Sequence, residues 1–345
     1  MNFLENVALA PLTTLGVGGP ARFFAEAESE GDVREAIAFA EERDLPLFVL
    51  GGGSNVVVAD AGFDGLVLKI AIRGVQSSDQ REKRIFAAGA GEDWDALVAC
   101  AVEQDCAGLE CLSGIPGLVG GTPVQNVGAY GQDVSQTITE VVALDQHSCE
   151  VCTFTNEQCR FGYRTSIFNT SERERWIILR VSYALTPHGE PLIEYADLKR
   201  YFKERRSSPT LRETREAVRE VRRSKAMLIV EGDEDARSAG SFFKNPVISN
   251  ADYERLASGF QVPKYPTTDG RVKIPAAWLV EHAGFAKGAT RGNVGISRKH
   301  ALAIVNRGSA TAADVIGLKN EIQDAVESKF GIRLQPEPVF VGFEN

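Results

Sequence analysis

A serine, an arginine and a glutamate stand in segments of this chain whose neighbours suit them to chemistry. Ser241 lies in Ala239-Gly240-Ser241-Phe242-Phe243, where small residues admit a close ligand and two phenylalanines would exclude water. A nucleophile elbow has a glycine two residues after its serine; here that position is Phe243, and no acid–histidine pairing is evident. The hydroxyl therefore reads as a proton donor rather than an acyl nucleophile. Arg164, in Phe161-Gly162-Tyr163-Arg164-Thr165-Ser166-Ile167-Phe168, is a guanidinium among aromatic and apolar residues. That setting fits either a structural ion pair or a bidentate clamp on a carboxylate or phosphate. Glu337 sits between Pro336 and Pro338, and the second proline biases it towards extended backbone. Its carboxylate is either held for use on a substrate or exposed on an edge strand. Tyr195, in Glu194-Tyr195-Ala196-Asp197-Leu198, is either a core residue flanking a helix or a mobile hydrogen-bond donor.

Two glycine-rich stretches point to a ligand. Gly51-Gly52-Gly53-Ser54-Asn55 follows the apolar run 47–50 and precedes Val56-Val57-Val58. Three β-branched residues restart a strand rather than a helix. Dinucleotide fingerprints and phosphate loops both need a helix directly after their glycines. An anion held here would rest on a nest of backbone N–H groups without a helix dipole. The second stretch, Ser113-Gly114-Ile115-Pro116-Gly117-Leu118-Val119-Gly120-Gly121-Thr122-Pro123, continues through Asn126-Val127-Gly128-Ala129-Tyr130-Gly131. It is too dense in glycine and proline for helix or strand interior, and its length suggests backbone lying against a ligand rather than an ordinary surface loop.

The elements that must hold these segments are legible from periodicity. Residues 32–43 place Val33, Ala36, Ile37 and Ala40 on one helical face, and 93–104 do the same with Trp94, Leu97, Val98 and Ala101. A strand is expected over 84–91. The charged stretch 194–225 alternates Glu213, Glu216 and Glu220 with Arg212, Arg215 and Arg219, and reads as a solvated helix laced by ion pairs. A last helix opens at Thr311 and Asp314 in a capping box, buries Val315, Leu318, Ile322 and Val326, and ends at Gly331. The tail 332–343 is extended and needs a sheet to join. His147, Cys149, Cys152 and Cys159 have the ligand types of a tetrahedral zinc site. They fall in 141–154, which alternates as a strand pair with a turn near 146–148; the hairpin is the preferred reading and no metal is expected.

Composition narrows the class. The chain has 345 residues, 43% hydrophobic and 25% charged, with 33 glycines scattered rather than periodic. That fits a globular protein of two or three domains at about 150 residues each, and argues against collagen, coiled coil and disorder. A formal charge of −9 disfavours nucleic acid and anionic lipid as partners. No apolar stretch approaches the roughly 18 residues of a membrane span, and the first residues do not read as a secretory signal. A soluble, cytoplasmic protein with reduced cysteines is expected.

In this order the segments resemble one family. LGGGSN at 50–55, SGIPGLVGGTPVQNVGAYG at 113–131, FGYRTSIF at 161–168 and GSFFKNP at 240–246 are similar to the UDP-N-acetylenolpyruvoylglucosamine reductase (MurB) family from about residue 12 to 342. The tyrosine segment and the insert after it resemble the branch with an extra substrate-covering loop. Two positions depart from the family pattern: Gln-Pro-Glu-Pro replaces the usual Glu-Pro-Glu-Val around Glu337, and Thr165 replaces the commoner acid. The resemblance implies an α+β fold: a vanillyl-alcohol-oxidase-type FAD-binding fold of two α+β subdomains, 1–72 and 73–225, the latter joined by the strand 332–345. A C-terminal α+β substrate domain would span 226–331. It implies bound FAD, with Gly51, Gly52, Gly53, Ser54 and Asn55 at the pyrophosphate. Ser113, Gly114, Ile115, Pro116, Gly117, Gly121, Asn126, Gly128, Ala129 and Tyr130 would lie along the rest of the cofactor. NADPH is the implied co-substrate, Ser241, Arg164 and Glu337 the catalytic set, and Tyr195, Lys225 and Asn245 the substrate-binding set. A cytoplasmic monomer of peptidoglycan synthesis is the implied setting. A flavin oxidase of the same fold and a flavin-free sugar-nucleotide binder are the alternatives.

Overall fold

In the computed structural model, residues 1–267 and 269–343 are described, and the chain forms two compact units. The first comprises Met1–Val7, Ala21–Gly52 and Asp64–Leu228; the second comprises Ala8–Pro20, Gly53–Phe63 and the chain from Ile229 onwards. Both mix helix and sheet, as the α+β expectation requires.

Two larger sheets lie mostly in the first unit. One orders its strands Leu4–Ala8, Pro20–Ala27, Phe63–Ile70, Leu47–Leu50, the last two parallel. The other runs Val151–Thr155, Ile138–Asp145, Trp176–Pro187, Lys83–Gly89, Val75–Gln80, antiparallel throughout, with Cys106–Ala107 pairing the far end of Trp176–Pro187. Glu30–Glu42 is a helix capped by Ser29 that buries Val33, Ala36, Ile37 and Ala40. Trp94–Glu103, capped by Asp93, buries Trp94, Leu97, Val98 and Ala101. Both stripes enter one apolar core with Leu66, Phe86, Val141 and Val181. The hairpin is present: Ile138–Asp145 pairs with Val151–Thr155 out to Leu144 opposite Val151.

The charged insert needs a correction. Leu211–Ser224 is a helix with the capping box Thr210/Glu213, but it is not solvated all round: Leu211, Thr214, Ala217, Val218 and Arg222 are buried. Its arginines find partners inside the unit rather than only along the helix, so its charge density did not signal exposure.

The second unit is built on Ala312–Phe330, where the box Thr311/Asp314 and a left-handed Gly331 (φ 69°) close the two ends as expected. A cap of this kind is worth about 1 kcal/mol. Val315, Leu318, Ile322 and Val326 pack with Val294, Ile296, Ile304, Phe242 and Phe243. The tail finds its sheet within this unit: Val339–Val341 pairs in parallel with Val56–Val58, Val341 opposite Val58. The three valines that restart a strand after the glycines supply that partner, which is why the segment 53–63 belongs to this unit. The last two residues of the 332–345 strand expectation lie outside the described residues. Among the described residues no helix is long and apolar enough to cross a membrane.

Candidate active site

Strand–glycine–strand is the observed connection: Leu47–Leu50 ends, 51–55 turn, and Val56–Val58 begins. Within the first unit Gly52 lies back to back with the second stretch, and a Cβ on it would sit 2.6 Å from the Gly117 Cα. Gly51 and Gly121 differ: a Cβ on either would meet no protein atom within 4 Å. Close packing on one side and open backbone on the other is the arrangement a dinucleotide requires of glycines, so these residues fit FAD. In the second unit Gly53 has φ +63° and a Cβ there would strike the Leu12 carbonyl oxygen at 1.9 Å, so no other residue fits the turn. Ser54 and Asn55 are half-buried; Asn55 Nδ2 donates to the Glu337 carbonyl at 3.2 Å, and the Val339 N–H donates to the Asn55 carbonyl at 2.9 Å.

The second stretch is pinned from several sides of the first unit. Ser113 is buried and its Oγ donates to the Glu110 carbonyl at 2.6 Å. The Gly114 N–H donates to Asp95 Oδ1 at 2.6 Å, and its carbonyl accepts from Arg222 Nε at 3.1 Å. Asp95 also accepts from Arg215 at 2.5 and 3.0 Å and from Arg219. Burial alone would raise the Asp95 pKa, but the hydrogen bonds from Arg215 and Gly114 and the two guanidinium charges outweigh it and hold the carboxylate below its usual range. Ile115, Pro116 and Gly117 are half-buried, and the Gly117 carbonyl accepts from the Trp94 N–H.

Arg164 is held against the 126–131 loop by backbone carbonyls. Its Nη2 donates to the Gly128 carbonyl at 2.7 Å and its Nη1 to the Asn126 carbonyl at 3.4 Å. Asn126 Nδ2 returns a bond to the Gly162 carbonyl at 3.1 Å, and Ser166 Oγ donates to the Val124 carbonyl at 2.7 Å. Ala129 turns back on Gln132, and Tyr130 is buried. That burial, partly opposed by Arg222, pushes the Tyr130 phenol up to about 12. Tyr195, exposed, meets Tyr130 edge-on at 5.4 Å. Lys225 Nζ lies 5.9 Å from the Tyr130 ring and pairs with Asp197 at 2.5 Å. Tyr130, Tyr195 and Lys225 therefore form one cluster.

In the second unit the chain around Ser241 pairs with the chain around Glu337. The Glu337 N–H donates to the Phe242 carbonyl, the Lys244 N–H to the Gln335 carbonyl, and Phe243 bridges Pro336. The Gln-Pro-Glu-Pro departure thus leaves Glu337 paired through its backbone with Phe242, the residue after the serine. Asn245 Oδ1 accepts the Ala276 N–H at 2.8 Å at the start of the helix Ala276–His282, a structural use that its sequence did not signal. One residue was missed altogether: His300 Nε2 lies 3.0 Å from Ser241 Oγ. Its 59-residue separation from the serine, outside any periodic element, left no sequence signal. Among the described residues no three His, Cys, Asp or Glu side chains are grouped to hold a metal ion.

Residues 21–151 match the FAD binding domain, and residues 233–341 match the UDP-N-acetylenolpyruvoylglucosamine reductase C-terminal domain. The chain is 46% identical to UDP-N-acetylenolpyruvoylglucosamine reductase of Saccharopolyspora erythraea across 97% of its own length and 94% of that protein. The chain belongs to the UDP-N-acetylenolpyruvoylglucosamine reductase family. The reductase of Thermobifida fusca is 44% identical over 99% of this chain and 98% of its own. The crystal structure of the Thermus caldophilus reductase superposes with a TM-score of 0.66 at 25% identity, covering 99% of this chain and 98% of that one. This reductase is accordingly an FAD-dependent oxidoreductase of the expected α+β class, an FAD-binding domain followed by the family's C-terminal domain. The FAD-domain match sets aside the flavin-free binder, and whole-length reductase relatives set aside the oxidase.

Proposed function

We propose that the reductase converts UDP-N-acetylenolpyruvoylglucosamine to UDP-N-acetylmuramate at the expense of NADPH, in cytoplasmic peptidoglycan synthesis and as a monomer. FAD held by the glycine segments would supply the hydride chemistry that links NADPH to the enolpyruvyl group. The finer division into 1–72, 73–225 and 226–331 belongs to the same reading. The backbone of Gly51, Gly52, Gly53, Ser54 and Asn55 would hold the pyrophosphate. Ser113, Gly114, Ile115, Pro116, Gly117, Gly121, Asn126, Gly128, Ala129 and Tyr130 would hold the remainder.

Hydride addition leaves negative charge on the carbon that bears the substrate carboxylate. Such charge is best met by fixed groups that need no reorganisation. Arg164 is such a group, its guanidinium held by the Gly128 and Asn126 carbonyls. Glu337 is the second such group, and in its protonated form it would donate a hydrogen bond to the same carboxylate. The carbanion then takes the Ser241 hydroxyl proton; the O–H bond breaks as the C–H bond forms, and position offsets the weak acidity of the alcohol. Tyr195, Lys225 and Asn245 bind the substrate's diphosphate and sugar, as a reorientable donor, a point charge and an amide.

The observation that supports this reading is the pairing of 242–244 with 335–337, which joins the segment that follows Ser241 to the segment that carries Glu337. Its test is anaerobic stopped-flow absorbance of the holoprotein. NADPH should bleach the bound flavin, and the enolpyruvyl nucleotide should then restore it with release of the muramate. If the nucleotide leaves the flavin bleached, the reading fails.

A further inference from the structure

We propose that His300 is a positioning residue for the proton donor: it orients the Ser241 hydroxyl and returns a proton to its oxygen after that hydroxyl has given one up. The inference rests on the reading of Ser241 as the donor.

The contact is held by backbone as well as side chain. The Phe242 N–H donates to the Leu302 carbonyl at 2.8 Å, which lays 241–243 alongside 300–302. The turn that carries His300 is clamped from beneath. Ser297 is fully buried; its Oγ accepts the N–H groups of Lys299 at 3.1 Å and His300 at 3.3 Å and donates to Asp235 Oδ2 at 3.3 Å. The Arg298 N–H reaches the same carboxylate oxygen at 3.0 Å, and Arg307 binds the other. The Ala303 N–H donates back to the His300 carbonyl, and the Ser297 N–H to the Ala303 carbonyl. Asp235 has no exposure to solvent. A buried carboxylate with two arginines on it is a costly device for an ordinary surface turn, since removing either partner leaves an uncompensated charge. What the device fixes is the backbone of His300, and through it the 3.0 Å approach of Nε2 to Ser241 Oγ.

The chemistry needs such a neighbour. A serine hydroxyl that accepts a hydrogen bond from Nε2–H has its own proton free to point at the carbanion; one that donates to a bare Nε2 has that proton tied up. After transfer the serine oxygen carries negative charge, and an N–H donor 3.0 Å away is placed to stabilise it. The balance closes in two steps. The serine O–H breaks as the product C–H forms; the alkoxide then takes the Nε2 proton of the protonated His300 ring, leaving serine and neutral imidazole, and the ring regains from solvent the one proton that the overall reduction consumes.

The test combines a spectroscopic and a kinetic readout on the FAD-loaded full chain. The chain has four histidines, so 15N-histidine spectra can be assigned by loss of one set of signals in His300→Gln. Ser241→Ala should move the His300 Nε2 resonance and leave the other three histidines in place. In single turnovers, His300→Ala should slow reoxidation by the enolpyruvyl nucleotide about a hundredfold, the order of losing one such donor. Reduction by NADPH should stay within about twofold of wild type. His300→Gln, which keeps an amide donor, should recover most of the loss. Equal slowing of both half-reactions, no rescue by glutamine, or an Nε2 resonance indifferent to Ser241→Ala overturns the role of His300 alone. Wild-type reoxidation in Ser241→Ala would instead overturn the reading of the serine.

Discussion

Gly51 and Gly52 are adjacent, yet the structure makes opposite demands of them, and exchanging each for alanine separates packing from ligand binding. A Cβ at 52 would sit 2.6 Å from the Gly117 Cα, 3.0 Å from its carbonyl carbon and 3.2 Å from the Leu118 nitrogen, where ordinary contact begins at 3.4 Å. All three are backbone atoms, so no rotamer change relieves the overlap and one of the two loops must move. Overpacking of this kind costs about 1–3 kcal/mol. At 51 the new methyl meets no protein atom within 4 Å, and Gly51 does not have the positive φ that would strain an alanine. Gly→Ala in compatible backbone stabilises by roughly 0.4–1 kcal/mol through the unfolded chain. The methyl would instead occupy the space assigned to the FAD pyrophosphate. Pushing the cofactor back by a fraction of its contact distance should weaken it by about 1.4 kcal/mol or more, a tenfold loss of affinity. The measurements are urea unfolding of the apoproteins and flavin-fluorescence titration of the refolded chains. Gly51→Ala should unfold at or above the wild-type midpoint and bind FAD poorly; Gly52→Ala should unfold early. Wild-type FAD affinity in Gly51→Ala would refute the assignment of the cofactor to that open face.

Three further outcomes are expected. Ser241→Ala should leave flavin reduction by NADPH nearly intact and abolish reoxidation by the enolpyruvyl nucleotide, while Ser241→Cys retains some turnover because a thiol also supplies a proton; stopped-flow absorbance checks both. The Asp95 pKa lies below the usual carboxylate value, so its stabilisation is full above about pH 4 and is lost as pH falls through the lowered folded value. Asp95→Asn should therefore cost about 1–3 kcal/mol near neutrality and show a shallower acid loss than wild type in unfolding midpoints from pH 6 to 3. Burial pushes the Cys159 thiol up to about 12 and raises Cys106 and Cys111 as well, so iodoacetamide at pH 8 should spare these three in the native protein, as peptide mass mapping would show.

Much of the fold was legible because its information is local. The stripes of 30–42, 94–103 and 312–330 state which face is buried, and three valines after the glycines state that a strand follows. What escaped reading depends on partners far along the chain. The charged helix 211–224 looked solvated because Arg215, Arg219 and Arg222 are compensated by Asp95 and by the Gly114 and Met227 carbonyls, and nothing local announces a carboxylate 120 residues earlier. The strand 339–341 had to pair somewhere, but parallel pairing with 56–58 is a choice among edges that alternation cannot make. Glu337 was named from its prolines and the family pattern; its backbone pairing with Phe242 is a long-range contact that no periodicity encodes.

The charged insert also explains how two proposed functions share one support. Asp95 stands in the first turn of Trp94–Glu103 and binds the Gly114 N–H together with Arg215 and Arg219. Arg222, two turns further on, takes the Gly114 carbonyl, so one glycine peptide is gripped at both ends by the same pair of helices. Burial pulls the Arg222 pKa down from its ordinary value, yet an arginine stays charged even so, and that charge sits beside Tyr130 in the second glycine segment. Lys225 follows directly as the residue that ends Leu211–Ser224, and Asp197 ties it to the segment of Tyr195. The glycine proposed for the cofactor and the tyrosine and lysine proposed for the substrate are therefore tied to the same helix. A helix whose sequence advertises solubility acts as the bar between them, and damage to Asp95 should be felt at both.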